Sequence, residues 1–295
     1  MLQKVIAIVG PTSSGKSALA VRLAKRFKGE VISADSRQVY KGLNIGTGKI
    51  KKREMRGIRH HLLDVASPKR TFTAHDFMRE AQEAITMIYQ SKKLPIVAGG
   101  TGFYIDALLG RISLPDVPAD PKLRARLERK PLAALLRMLK GLDPKRAKTV
   151  EPHNKRRIVR AIEIALSAQK TPETRSLYKT LWIGIAPPFA DLERAIRSRL
   201  RERIRKGLIP EGARLRKQGL SYKRMRQLGL EYGALADLLE EMIDRKEFEE
   251  RLYRHIRRYA KKQLAYWKRN RSIMWFDPSD YARIKKTVTK FLATK

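Results

Sequence analysis

The chain has 295 residues, 42% hydrophobic and 32% charged, which is enough apolar mass for a sizeable core and too much for a disordered segment. It has no cysteine, which excludes disulfides, thiolate nucleophiles and cysteine-built zinc sites. A formal net charge of +37 points to a polyanionic partner, nucleic acid first; the excess is uneven, with 20 basic and 10 acidic residues over 1–120 against 46 and 19 over 121–295.

In chain order, residues 4–9 (KVIAIV) are a β-branched run that reads as a buried strand ending at Gly10. A Gly/Ser loop follows, then a helix over 16–27 with Leu19, Leu23 and Phe27 on one face. Residues 30–33 read as a second strand, 74–89 as a helix, and 94–98 (LPIVA) as a third strand running into Gly99 and Gly100. Strands alternating with helices imply a parallel sheet. After Leu109 a proline-punctuated link at 114–118 opens a basic helical run reaching to about residue 168. Residues 180–186 and 273–276 read as returning strands, with basic helices between them at 191–206 and 246–269. The expected architecture is α/β: a P-loop parallel-sheet core over 1–113 and 179–295, with a helical insertion domain at 114–178. The first apolar run is too short for a signal peptide, and no stretch approaches the ~20 apolar residues of a membrane helix, so a cytoplasmic protein is expected.

Gly10, Pro11, Thr12, Ser13, Ser14, Gly15, Lys16 and Ser17 fit G-x-x-x-x-G-K-[ST] completely, after a strand and before a helix as that motif requires. Backbone N–H groups of such a loop turn inward around phosphates, the lysine bridges terminal phosphates, and the serine can ligate Mg2+. The motif reports a polyphosphate without reporting hydrolysis. A nucleotide hydrolase adds a strand ending in a magnesium-supporting acid, whereas LPIVA ends in glycine. The second strand does lead to an acid, Asp35, which heads Asp35, Ser36, Arg37 and Gln38; it suits magnesium, a substrate or a turn cap. Thr101 suits either a hydroxyl donor or a helix cap. Ligands of doubly wound sheets sit beyond the carboxyl ends of the strands, so these three segments should converge on one crevice.

Together the segments resemble the tRNA dimethylallyltransferase (tRNA isopentenyltransferase) family. The resemblance rests on GPTSSGKS at 10–17, SADSRQVYKGLNIGTGK at 33–49, HHLLDV at 60–65, FTAHDFMREA at 72–81, VAGGTGFYIDALL at 97–109, NKRRIVRAIEI at 154–164, RMRQLGLEYGAL at 224–235 and YAKKQLAYWKRN at 259–270. It implies transfer of a dimethylallyl group from dimethylallyl diphosphate to N6 of the adenosine 3′ of the anticodon, with tRNA held by its anticodon stem-loop. By that resemblance the loop would bind the diphosphate and Ser17 would hold Mg2+. Asp35 would take the N6 proton, Gln38 would help hold the base, and Thr101 would lie against leaving group and nucleotide. Arg124, Arg156, Arg157 and Arg160 would contact tRNA.

Other features are read more plainly. His60, His61 and Asp64 lack a third well-spaced ligand and are assigned to packing or substrate support. Tyr253, Tyr259, Tyr266 and Trp267 fall at helical spacing and are read as core in preference to base-stacking residues. Transfer to free AMP is the rival activity, disfavoured because a mononucleotide needs no such basic surface. A small-molecule kinase is disfavoured by the missing acidic strand end, and a non-catalytic RNA-binding protein by the intact Lys16, Ser17, Asp35 and Thr101. A monomer needing no obligate protein partner is expected.

Overall fold

The computed structural model describes residues 2–167 and 173–294. Strand β1 (Gln3–Val9) runs into the phosphate loop and α1 (Lys16–Arg26) leaves it. There follow β2 (Gly29–Ser33), the single-turn α2 (Lys52–Met55), β3 (His60–His61), α3 (Ala74–Gln90), β4 (Leu94–Ala98) and α4 (Gly102–Leu108). Four helices come next: α5 (Pro121–Glu128), α6 (Leu132–Leu142), α7 (Pro144–Thr149) and α8 (Lys155–Leu166). The chain then returns through β5 (Tyr178–Ile185), α9 (Phe189–Arg205), α10 (Leu208–Lys217), α11 (Tyr222–Leu228), α12 (Leu230–Leu239), α13 (Arg245–Trp267), β6 (Met274–Phe276) and α14 (Tyr281–Ala293).

Among the described residues the six strands form one all-parallel sheet in the order β3-β2-β4-β1-β5-β6. Residues 5–9 of β1 are fully buried, as a central strand covered on both faces must be. Alternation along β1 shows how: Val5, Ala7 and Val9 belong to one apolar cluster with Phe77, Ile105 and Trp267, while Ile6 and Ile8 belong to another with Leu19, Leu23 and Val288. A third cluster joins Val39, Tyr40 and Leu43 to the helices from α9 to α13.

Two compact units result, one of Met1–Ile112 with Ser176–Lys295 and one of Ser113–Arg175. The second has its own small core of Leu127, Leu135, Leu139, Ile158 and Ile162. The expected helical run ends at Leu166, and residue 168, where it was drawn to stop, lies outside the described residues. Elements β3, α2, α4, α10–α12 and α14 are not among those expected from the sequence. Two-residue β3 carries no periodicity of its own and exists because His60 and His61 pair with Val31 and Ile32. Among the described residues no helix is long and apolar enough to cross a membrane.

Candidate active site

The phosphate loop is pressed against β5. Gly10 adopts φ +143°, and a Cβ there would fall 2.2 Å from the carbonyl oxygen of Ile185, so only glycine fits. Ser13 turns through φ 64°, and α1 begins with no side chain capping its first amides, which leaves them for an anion. Lys16 Nζ donates to the Pro11 carbonyl and lies 3.5 Å from Ser14 Oγ. Burial, then repulsion from Arg199, pulls the Lys16 pKa down to about 7 against an opposing pull from Asp35.

Arg199 of α9 reaches the same place, its Nη1 donating to Ser13 Oγ at 3.4 Å; burial and then Arg203 lower its pKa to about 10. Arg203, one turn later, donates from Nη1 to the Gly46 carbonyl and to Glu231 Oε1, both at 3.0 Å. Glu231 is buried, and desolvation raises its pKa despite that pairing. Lys16, Arg199 and Arg203 thus crowd one end of the cavity, Arg199 disfavouring the charge on Lys16 and Arg203 that on Arg199, an arrangement that a polyanion relieves.

The other end is built from the turns after β2 and β4. Asp35 Oδ1 accepts the amides of Arg37 (2.8 Å) and Gln38 (3.3 Å), which folds the DSRQ segment into a tight turn. Gly99 lets this turn approach: a Cβ on it would lie 2.1 Å from the Ala34 carbonyl oxygen. Thr101 N–H donates to that carbonyl at 3.2 Å, and Thr101 Oγ1 accepts the Ser36 amide at 3.0 Å. Gln38 is tethered at both ends of its amide, accepting from Ser33 Oγ at 3.2 Å and donating to the Thr47 carbonyl at 3.4 Å. The Tyr259 hydroxyl bonds the Thr101 side chain; burial, then the Asp35 charge, push its pKa up to about 12.

Both ends open on one cavity of about 580 Å³ lined by Thr12, Ser13, Ser14, Gly15, Lys16, Ser17, Asp35 and Gln38 from the sequence-derived set. Gly10, Pro11, Ser36, Arg37 and Thr101 are not among its lining residues, and Thr101 supports the Asp35 turn through the Ser36 amide. Arg199, Arg203, Tyr259 and Gln263 also line it, and sequence reading did not single them out for the site. Tyr259, read as core, is corrected here to a cavity residue, whereas Tyr266 and Trp267 do pack edge to face in the core. Arg197 stacks 3.8 Å over Tyr253.

In Ser113–Arg175, Glu163 is buried and accepts Arg124 Nη2 (2.6 Å), Arg124 Nε (2.9 Å), the Asp120 amide (2.7 Å) and Arg160 Nη1. Burial works to raise its pKa, but Arg124, the Asp120 amide and Arg160 outweigh that and hold it at about 2. Arg124 and Arg160 are therefore occupied inside this unit, while Arg156 and Arg157 are exposed on α8, Arg157 only loosely facing Glu151 at 3.4 Å. His61 Nε2 lies 2.6 Å from Glu30 Oε2, Asp64 pairs with Lys49 at 2.6 Å, and His60 Nδ1 donates to the Ile58 carbonyl at 2.9 Å. Among the described residues no three His, Cys, Asp or Glu side chains are grouped to hold a metal. A divalent ion at the loop fits as a hard cation taking the Ser17 hydroxyl, water and phosphate oxygens, in a cavity whose lining carboxylates are Asp35, Glu54 and Glu202.

Fold and cavity define a P-loop α/β protein built to hold a polyphosphate beside a carboxylate-bearing polar pocket. The chain belongs to the IPP transferase family, whose model matches residues 38–270, and is a prenyl transferase of that family. It is 38% identical over 300 residues to the tRNA dimethylallyltransferase of Thermomicrobium roseum (98% of this chain, 91% of that one). It is likewise 38% identical over 310 residues to that of Halalkalibacterium halodurans (100% and 98%). The full-length tRNA isopentenylpyrophosphate transferase of Bacillus halodurans superposes with a TM-score of 0.75 at 36% identity, covering 98% of this chain and 97% of that one. A eukaryotic dimethylallyltransferase acting on tRNA gives 0.81 at 25% identity, covering 98% and 77%.

Proposed function

We propose that this chain transfers the dimethylallyl group of dimethylallyl diphosphate to N6 of the adenosine immediately 3′ of the anticodon in tRNA. The observation that carries the reading is the single cavity whose cationic end, formed by the phosphate loop, Lys16 and Arg199, faces the Asp35, Gln38 and Thr101 end. An exocyclic adenine amine is a weak nucleophile, so the reaction depends on stabilising the leaving group. The N6 lone pair forms the N–C1 bond as the C1–O bond breaks, and its electron pair departs on the diphosphate into the loop amides and the Lys16 and Arg199 cations. The N6 proton passes to Asp35, whose Oδ1 is anchored by two amides, which leaves Oδ2 as the accepting oxygen; a general base of this kind contributes roughly 10² to 10⁴ in rate. Ser17 would hold Mg2+, which when bound supplies further charge neutralisation on the diphosphate. Gln38, which lines the cavity, sets the adenine edge, and Thr101 holds the Asp35 turn in place through the Ser36 amide. A base flipped from a single-stranded loop costs a few kcal/mol, about as little as flipping can cost.

On the helical unit, Arg156 and Arg157 take RNA phosphates, and Arg124 and Arg160 hold the shape of the unit through Glu163. The enzyme works in the cytoplasm, where tRNA and the diphosphate meet, and needs no protein partner. Mass spectrometry of an anticodon stem-loop RNA and of AMP, each incubated with the protein, Mg2+ and dimethylallyl diphosphate, tests this. One dimethylallyl gain on the adenosine 3′ of the anticodon with AMP unchanged is expected. Modified AMP would move the enzyme to the free-nucleotide class, and transfer to neither would overturn the proposal.

A further inference from the structure

Helix α13 crosses behind the cavity and sends two side chains, one turn apart, to opposite halves of it. Tyr259 bonds the Thr101 side chain. Gln263 is buried (6% exposed) and divides its amide: Oε1 accepts the Thr12 N–H at 2.8 Å, and Nε2 donates to the Gly100 carbonyl at 2.9 Å. Thr12 belongs to the phosphate loop, and Gly100 adjoins Thr101, which in turn holds the Asp35 turn through Ser36. One side chain therefore joins the leaving-group half of the site to the nucleophile half.

We infer that Gln263 is a positioning residue for transfer, fixing the spacing between the diphosphate loop and the Gly100 turn so that the allylic carbon and N6 meet in line. The inference rests on the prenyl-transfer reading for its chemistry, but the clamp itself is independent of it. A primary amide suits the task because it satisfies one donor and one acceptor at once; no charged or apolar side chain of that size does both. The loop is curled through Ser13 in a left-handed conformation, so an anchor on the preceding residue also fixes where Ser13 and Ser14 face. Although Gln263 lines the cavity, its Oε1 and Nε2 are engaged by Thr12 and Gly100, so the polar contacts to each ligand fall to the loop and to the Asp35 turn. Losing the clamp should therefore leave binding largely intact and damage alignment, which appears in kcat, where misplacement by about 1 Å can cost 10²-fold.

The test compares Gln263→Leu and Gln263→Glu with the unaltered enzyme, well below all three melting temperatures. Gln263→Leu is expected to lower kcat about 10- to 100-fold while KM for dimethylallyl diphosphate and for the RNA each move less than about threefold. Gln263→Glu keeps the acceptor for Thr12 but loses the donor to Gly100 when ionised, and regains both bonds when protonated. Ionised Gln263→Glu should therefore lower kcat as Gln263→Leu does, with both KM values again moving less than about threefold. Amide exchange over residues 10–17 and 99–101 should speed up together in Gln263→Leu. Either an unchanged kcat in Gln263→Leu, or a loss that appears in KM with kcat preserved, overturns the inference. Should the unaltered enzyme transfer nothing, the function reading fails instead, and unchanged exchange in either segment would still refute the clamp.

Discussion

Lys16 offers the most quantitative check on how this site handles charge. Its pKa of about 7 in the free protein, lowered by burial and by Arg199, means that above neutral pH the amine is mostly uncharged. A bound diphosphate reverses both causes by supplying opposite charge at contact, which returns the group towards its ordinary range near 10.5. Binding must then draw in a proton. At pH 8 about nine-tenths of the free-state lysines are neutral, so calorimetry of dimethylallyl diphosphate without RNA should register an uptake of about 0.9 proton per ligand. The assay repeats the titration in two buffers of different ionisation enthalpy, at pH 6 and pH 8. Uptake should shrink to roughly 0.1 proton at pH 6, and above pH 7 affinity should fall by up to about tenfold per pH unit. Lys16→Arg keeps the charge permanently and should bind with no linked proton. Binding at pH 8 with no uptake in the unaltered protein would show that Lys16 is already charged and refute the reasoning.

The same shift has a stability counterpart. Because the folded pKa lies below the unfolded one, the unfolded chain binds more protons between pH 7 and 10.5; ligand-free Lys16→Met should therefore melt higher than the parent at pH 6 and gain little at pH 10 by scanning calorimetry. Asp35→Asn retains the turn-forming oxygen, so RNA binding should survive while single-turnover transfer falls by at least ~10²; near-normal turnover would remove Asp35 from the base role. Replacing Arg156 and Arg157 by Ala should lower the salt slope of RNA binding by about one per lost phosphate contact in filter-binding titrations, and an unchanged slope would place the RNA elsewhere. Arg124→Met removes the bidentate partner of Glu163 but leaves Arg160 and the Asp120 amide on it, a loss of roughly 1–3 kcal/mol, so α8 should lose amide-exchange protection; Glu163 itself contributes fully above its unfolded pKa of 4.5 and loses that contribution as pH falls towards 2.

Much of this was legible because the motifs are contiguous. The phosphate loop announces itself through glycine spacing between a β-branched run and an amphipathic helix, and β1 and α1 stand where that pattern put them. Asp35 and Thr101 were visible as polar residues at strand ends, but the bond between the Ser36 amide and Thr101 was not, since it joins two turns 65 residues apart. Arg199 and Arg203 were hidden for a different reason. Helix α9 carries an arginine at nearly every other position, so spacing alone does not say which face turns inward; burial against the loop decides it. Tyr259 and Gln263 lie four apart on α13, the spacing that brings side chains to one face, yet that spacing equally describes core packing. Arg124 and Arg160 looked like free cations until Glu163, itself unremarkable in sequence, claimed both.

The bond from Thr12 to Gln263 spans 251 residues, and β1 cannot close its sheet until β5 pairs with it. A ribosome adding 5–20 residues per second therefore needs roughly 12–50 s between making the phosphate loop and making the side chain that braces it. Nascent chains halted short of α13 carry the complete nucleotide-loop motif and yet lack its brace. Competence for transfer thus arrives near the end of synthesis, while the helical unit at 113–175, with its own small core, is positioned to fold earlier.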